Sequence, residues 1–225
     1  FILSLLFGES GKRLGKSMRS RVLMSQLMFE NLIELAKNVH ESHPELREFC
    51  KFPSDLKTQE VKKNHINASH LLQADKKLAT NKYALFRDAF VNAAPYAHWR
   101  ETYKNTDIGE DFMNRFGCYC LIGINAPFFS NQMHAFVVYM PEEMFYPWHN
   151  HPGEEMYLTL AGEAEFFKHN ENNKVLKPGD VSEHRSNQPH AMRTHNRPVM
   201  AYVIWRNHFD TPPVWTDYLN NSNKN

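Results

Sequence analysis

The residues best equipped for chemistry crowd into one stretch. Tyr146, His149, His151, Glu155 and Tyr157 all fall within twelve residues. His149 and His151 are two apart, so on a strand their imidazoles share a face. Glu155 and Tyr157 repeat that spacing after a Pro152-Gly153 break that can bend the chain and re-aim them. A second segment, from Lys177-Pro178-Gly179-Asp180 to Asn187-Gln188-Pro189-His190, offers a third imidazole at His190. Three imidazoles and one carboxylate suit one divalent transition metal, and Fe, Mn, Zn, Ni and Co all remain open. Tyr157 shares a face with Glu155, so its hydroxyl can reach such an ion or a bound substrate. A nearby cation favours the charged form of a phenol, which makes a tyrosinate base at mildly alkaline pH. The competing reading of Tyr157 is a core tyrosine with a satisfied hydroxyl. Glu154 should point the other way, into solvent. His184, six residues before His190, is expected to support the site from behind or to face solvent, and His195 and His208 to sit near strand ends.

The elements that must position these groups differ between the two halves of the chain. From about Met18 to Tyr103 the sequence reads as helical, with Leu23, Leu27, Phe29, Leu32, Ile33 and Ala36 recurring at amphipathic spacing. Pro44 is placed to open a short helix running to Phe49. Pro53-Ser54-Asp55 should open another, and Asn81 to Phe90 a further one that ends near Pro95. From Phe116 onward short apolar runs alternate with turns: Cys118 to Ile124, Ala135 to Met140, Tyr157 to Leu160, Ala164 to Phe167 and Val199 to Trp205. Many short strands so spaced imply a sandwich or barrel, and a small jelly-roll barrel with a helical N-terminal cap fits best. The expected organisation is a segment over 1–17 set apart from the fold, a helical cap over 18–105, a β-barrel over 106–218 and a frayed tail over 219–225.

Composition narrows the function classes. A chain of 225 residues can bury one sizeable core. A net charge of +1 leaves no electrostatic footprint for nucleic acid or an anionic membrane, so a small-molecule substrate is the expected partner. Cys50, Cys118 and Cys120 form no metal-type pair and are expected as buried thiols, which fits a reducing compartment. The apolar start Phe1 to Phe7 is too short to span a bilayer and reads as a tag, a signal remnant or disorder. A cytoplasmic location is expected, with the periplasm left open.

The two motifs together resemble the cupin superfamily. His149-x-His151-xxx-Glu155 closing at Gly162, then Pro178-Gly179 leading to Pro189-His190, stand in that family's order. The resemblance implies a mainly β protein, a double-stranded β-helix (jelly-roll) barrel, with His149, His151, Glu155 and His190 around one divalent metal at its mouth. A narrower resemblance is to the cupin dimethylsulfoniopropionate (DMSP) lyases. It rests on Tyr146-xx-His149-x-His151-xxx-Glu155-x-Tyr157-xxxx-Gly162, on Trp99-Arg100-Glu101-Thr102-Tyr103, and on Asp111-Phe112 with Arg115-Phe116-Gly117. What it implies is a metal-dependent β-elimination of DMSP to dimethyl sulfide and acrylate. Tyr157 would be the base, with Tyr146 and Tyr103 holding substrate or sharing the base's work. Aromatic rings suit a sulfonium, and Trp148, Phe129, Tyr139 and Trp205 are the candidates, with Trp99 and the Tyr103 loop as a lid. A homodimer through barrel edges or swapped strands is a further expectation of the superfamily. Two other functions fit the same ligand set: an Fe(II) dioxygenase acting on a small organic acid, and a non-enzymatic small-molecule-binding cupin.

Overall fold

The computed structural model describes residues 6–216, with side chains from residue 23 onward. Residues 1–5 and the 219–225 tail lie outside the described residues, while helix α1 (Leu6–Ser42) takes in 6–17. Phe29, Leu32, Ile33, Ala36 and His40 form its buried stripe. The helix stops before Pro44, because the residue preceding a proline is pushed toward extended backbone; His43 sits at φ −90°, ψ 116°. Pro44 then opens α2 (Pro44–Phe49), as the sequence predicts. The helix expected from Pro53 does not form. The segment there is irregular apart from a two-residue strand, β1 (Lys57–Thr58), and α3 starts only at Asn67 (Asn67–Ala74). Its alternation of charge lacks the apolar stripe a surface helix needs for docking. Helix α4 (Ala84–Ala93) buries Phe86, Ala89, Phe90 and Ala93 against α1, and α5 (Glu110–Arg115) leads into the barrel.

Eleven further strands follow: β2 (Gly117–Ile122), β3 (Phe128–Phe129), β4 (His134–Met140), β5 (Met144–Asn150), β6 (Glu154–Gly162), β7 (Ala164–Lys168), β8 (Lys174–Leu176), β9 (Val181–His184), β10 (His190–Thr194), β11 (Val199–Arg206) and β12 (Val214–Trp215). They form a seven-stranded sheet in the order β1-β3-β2-β4-β11-β6-β9 and a five-stranded sheet in the order β12-β5-β10-β7-β8. This is the mainly β jelly-roll barrel with a helical N-terminal extension that the sequence implies. The cap and barrel interlock, since β1 comes from the cap region and pairs with β3.

The central strands explain why the sequence shows continuous apolar runs instead of clean alternation. On β4, Ala135, Val137 and Tyr139 pack with the helices, whereas Phe136, Val138 and Met140 pack inside the barrel. On β11, Met200, Tyr202 and Ile204 face the helices, and Val199, Ala201, Val203 and Trp205 face the interior. Both faces of this sheet are buried, so both parities must be apolar. Glycine is required at Gly162, where φ is +70° and an added Cβ would overlap the Pro198 carbonyl.

Candidate metal centre

Three strands and one irregularity assemble the site. Strand β6 contributes Glu155 and Tyr157 from one parity, and Met156 and Leu158 turn to the helical side. Strand β10 contributes His190 opposite His149 of β5. Two residues farther along β10, Met192 pairs with Tyr146, so β5 spends three residues where β10 spends two. That is a β-bulge over Pro147-Trp148, a place where the missing proline N–H costs no ladder bond. The bulge breaks the period of two and brings both Tyr146 and His149 to the interior, their rings stacked 4.0 Å apart.

The donor atoms of His149, His151, Glu155 and His190 all lie within 4.8 Å of one another, and all four side chains are buried. Each imidazole is anchored through Nδ1 to a backbone carbonyl: His149 to Pro147 at 2.7 Å, His151 to Gly153 at 2.8 Å and His190 to Gln188 at 2.8 Å. A carbonyl only accepts, so Nδ1 carries a proton, and in the neutral ring each Nε2 carries a lone pair. Three lone pairs therefore converge with a carboxylate. Nε2 of His190 is buried without a hydrogen bond, although Glu155 Oε1 lies 2.8 Å away, because two acceptors face each other there. Such a set fits a divalent metal and is hard to rationalise without a cation.

The carboxylate is itself held. Trp205 Nε1 donates to Glu155 Oε2 at 2.6 Å, and His184 Nδ1 lies 3.0 Å from Oε1 with its Nε2 2.9 Å from Ser182 Oγ. Burial alone would raise the Glu155 pKa, but His151, His184 and His190 outweigh it and hold the group well below the usual carboxylate range. Burial, followed by the unfavourable proximity of the His190 imidazole to a second positive charge, lowers His149 well below an ordinary histidine, and the same causes bring His184 down to about 3. Tyr157 is pushed up by burial and then by Glu155. Its hydroxyl has no hydrogen bond to another described residue and faces a cavity of about 40 Å³ lined also by Tyr103, Tyr146, Arg100 and Trp205. Tyr103 closes that cavity: its hydroxyl bonds the Tyr146 hydroxyl and its ring stacks on Trp215, centroids 4.1 Å apart. A larger cavity of about 690 Å³ lies far from this chemistry, between α1 and the β3 edge, among Phe29, Gln59, Val61 and Tyr96.

The family model for dimethylsulfoniopropionate lyase matches residues 46–201. The chain belongs to the DMSP lyase family. Dimethylsulfoniopropionate lyase DddQ of Ruegeria pomeroyi is 46% identical over 188 residues, spanning 84% of this chain and 94% of its own. The crystal structure of that DddQ superposes with a TM-score of 0.83 over 84% of this chain and 96% of its own. A structure described with the DMSP lyases RdDddP and RnDddQII is 32% identical, with a TM-score of 0.82 over 86% of this chain and all (100%) of its own. The chain is thus a member of a lyase family.

Within this DMSP lyase family member, the sequence-selected residues divide cleanly. Tyr103, Tyr146, Tyr157 and Trp205 line the metal-side cavity with His149, His151 and Glu155. Four aromatic candidates do not. Trp99 is fully buried among the helices, donating to the Ala94 carbonyl and packed edge-on to Tyr119, so it is no lid. Tyr139 has the outward parity of β4 and donates to Asp75 at 2.8 Å. Phe129 sits on the short β3 strand beside His134. Trp148 is turned outward by the bulge onto Phe167. The sequence reading missed Arg100, Phe116, Cys118 and Phe136, which line the cavity, and Trp215, which backs Tyr103. It left His184 open; the structure puts it fully inside, against Glu155. Glu154 faces away and is clamped by Arg206, so it is paired as well as solvated.

Proposed function

We propose that this protein cleaves DMSP to dimethyl sulfide and acrylate by β-elimination, with Tyr157 as the base. The observation that carries the reading is the Tyr157 hydroxyl, unpartnered among the described residues, facing the same small cavity as the converging ligand set. His149, His151, Glu155 and His190 are the residues that would hold the metal. When bound, a divalent ion would supply Lewis-acid stabilisation of the substrate carboxylate and a positive field opposing the burial that raises the Tyr157 phenol.

Tyr157, as the phenolate that the positive field would favour, takes a proton from the carbon next to the carboxylate and becomes the neutral phenol. The freed electron pair forms the double bond of acrylate, the carbon–sulfur bond breaks, and dimethyl sulfide leaves as a neutral molecule. The proton passes from Tyr157 to solvent when the site reopens. Tyr146 and Tyr103 stand beside the reacting end, hydrogen-bonded to each other, and fix where the substrate lies. The faces of Tyr103, Tyr146 and Phe116 suit the sulfonium, each ring contributing about 0.5–2 kcal/mol. Closure of Tyr103 over the cavity keeps water from the carbanion-like transition state.

Headspace dimethyl sulfide from purified protein given DMSP tests this reading. The protein is stripped of metal and resupplied separately with Fe(II), Mn(II), Ni(II), Co(II) or Zn(II). Metal-dependent release with equal acrylate is expected. No release with any ion, from folded and metal-loaded protein, would refute it.

A further inference from the structure

Beside the metal-side cavity lies an outer chamber of about 400 Å³ that shares four wall residues with it: Arg100, Thr102, Phe136 and Trp205. The inner space is about 40 Å³ and the chamber beside it about 400 Å³, so the chamber is the roomier approach to the reaction cavity. Arg100 is the charged group in the wall. Its guanidinium is half-buried and lies over the Phe136 ring, 5.0 Å from the centroid. Among the described residues no carboxylate lies within ion-pair distance of it. Its acidic neighbours include Cys118, which is hydrogen-bonded to it, with Cys120, Tyr103 and Tyr146, thiols and phenols that are neutral at physiological pH, while Glu155 lines the same inner cavity beyond ion-pair distance. Asp210 faces the same chamber but is exposed, and Glu101 is engaged by Lys104.

A half-buried guanidinium with no carboxylate partner, set in the wall of a chamber, has charged donors left over for an anionic ligand. Its planar fork matches a carboxylate with two parallel hydrogen bonds. We infer that Arg100, together with the bound metal, holds the carboxylate of the substrate where the outer chamber meets the reaction cavity, and that this chamber is the route by which carboxylate-bearing molecules arrive and leave. This rests on the proposed DMSP reading for the identity of the substrate, but not for the anion site itself. The arrangement also orients a zwitterion. The Arg100 charge repels the sulfonium, which turns toward the Tyr103, Tyr146 and Phe116 rings, and the carbon between the two ends is left facing Tyr157.

The test uses the full chain loaded with zinc, metal content checked by elemental analysis, in parent, Arg100→Gln and Arg100→Lys forms. Propionate carries the carboxylate without the sulfonium, and trimethylsulfonium carries the reverse. In Arg100→Gln the propionate Kd and the DMSP KM should each rise at least tenfold, while inhibition by trimethylsulfonium stays within twofold of the parent. Arg100→Lys keeps the charge and loses the fork, so propionate should weaken at least threefold. Parent-like propionate affinity in either variant, folded and fully metallated, overturns the proposal. A parent that binds propionate through Arg100 yet releases no dimethyl sulfide would sink the DMSP reading and leave the anion site standing.

Discussion

Replacing Trp205 by phenylalanine removes one atom pair from the support of the metal centre and little else. Trp205 Nε1 donates to Glu155 Oε2 at 2.6 Å, both groups are buried, and the indole stacks on His151 with centroids 4.2 Å apart at 22°. Phenylalanine keeps the stacking and deletes the donor. A buried hydrogen bond to a charged acceptor contributes about 1.5–3 kcal/mol, which is roughly a 10–150-fold change in an equilibrium constant. The loss falls on metal binding because Oε2 is then free to swing, and Oε1 no longer keeps its place among three imidazoles; changes of this kind behind metal ligands weaken affinity by about 10–100-fold. The smaller ring also leaves a gap costing about 1–2 kcal/mol of fold stability. The two effects separate experimentally. Competition with a chromophoric chelator gives the zinc Kd, and urea unfolding of metal-free protein gives the stability. The expected result is a zinc Kd raised at least tenfold in a folded variant. A Kd within twofold of the parent would show that the histidines alone fix the Glu155 carboxylate, and the reasoning about its support would be wrong.

Other outcomes follow from the same geometry. Tyr157→Phe should keep full metal occupancy and lose at least a hundredfold in DMSP turnover, in line with general-base contributions of about 10²–10⁴; unchanged kinetics in metallated protein would remove Tyr157 from the mechanism. His190→Ala should lose the metal, because that ligand alone ties β10 to the set, and full occupancy by elemental analysis would contradict this. Gly162→Ala must overlap the Pro198 carbonyl at a left-handed φ, so a loss of about 3 kcal/mol or more is expected, read as a lower thermal midpoint. Acid should destabilise the metal-free fold. His184 and His134, lowered by burial to about 3 and about 4, refuse protons that the unfolded chain accepts below its ordinary 6.5, so stability is present above pH 6.5 and drains as pH falls toward 3. His151, held up by Glu155 against burial, works the other way as a single group. A thermal midpoint that rises between pH 6.5 and 4 would reverse this assignment.

The convergence of His149, His151, Glu155 and His190 was legible because it rests on local facts, two-residue spacing and a second segment ending in His190. The strands at Ala135 to Met140 and Val199 to Trp205 were equally plain, being short runs too apolar for solvent. What the sequence hid was parity. In a sheet buried on both sides, Tyr139 and Phe136 look alike, and only the helices behind the sheet decide that Tyr139 leaves the barrel interior. The bulge at Pro147-Trp148 is the second concealed step: counted by twos, Tyr146 and His149 fall on opposite faces, yet both are inside and Trp148 is out. His184 escaped for a related reason, since its place against Glu155 depends on the β6–β9 register. Arg100 carried no spacing signal, because its function depends on a wall formed by residues distant in sequence.

The two-sided burial of β4 and β11 has a consequence for how mutations combine. Chain neighbours such as Val137 and Val138, or Tyr202 and Val203, report to different cores, while residues two apart share one. Energetic coupling along these strands should therefore skip alternate positions. Paired changes at 137 and 138 would add nearly independently, whereas paired changes at 136 and 138 would interact. The sheet acts as an insulating partition: the helical side can drift in sequence while the reaction chamber keeps its shape.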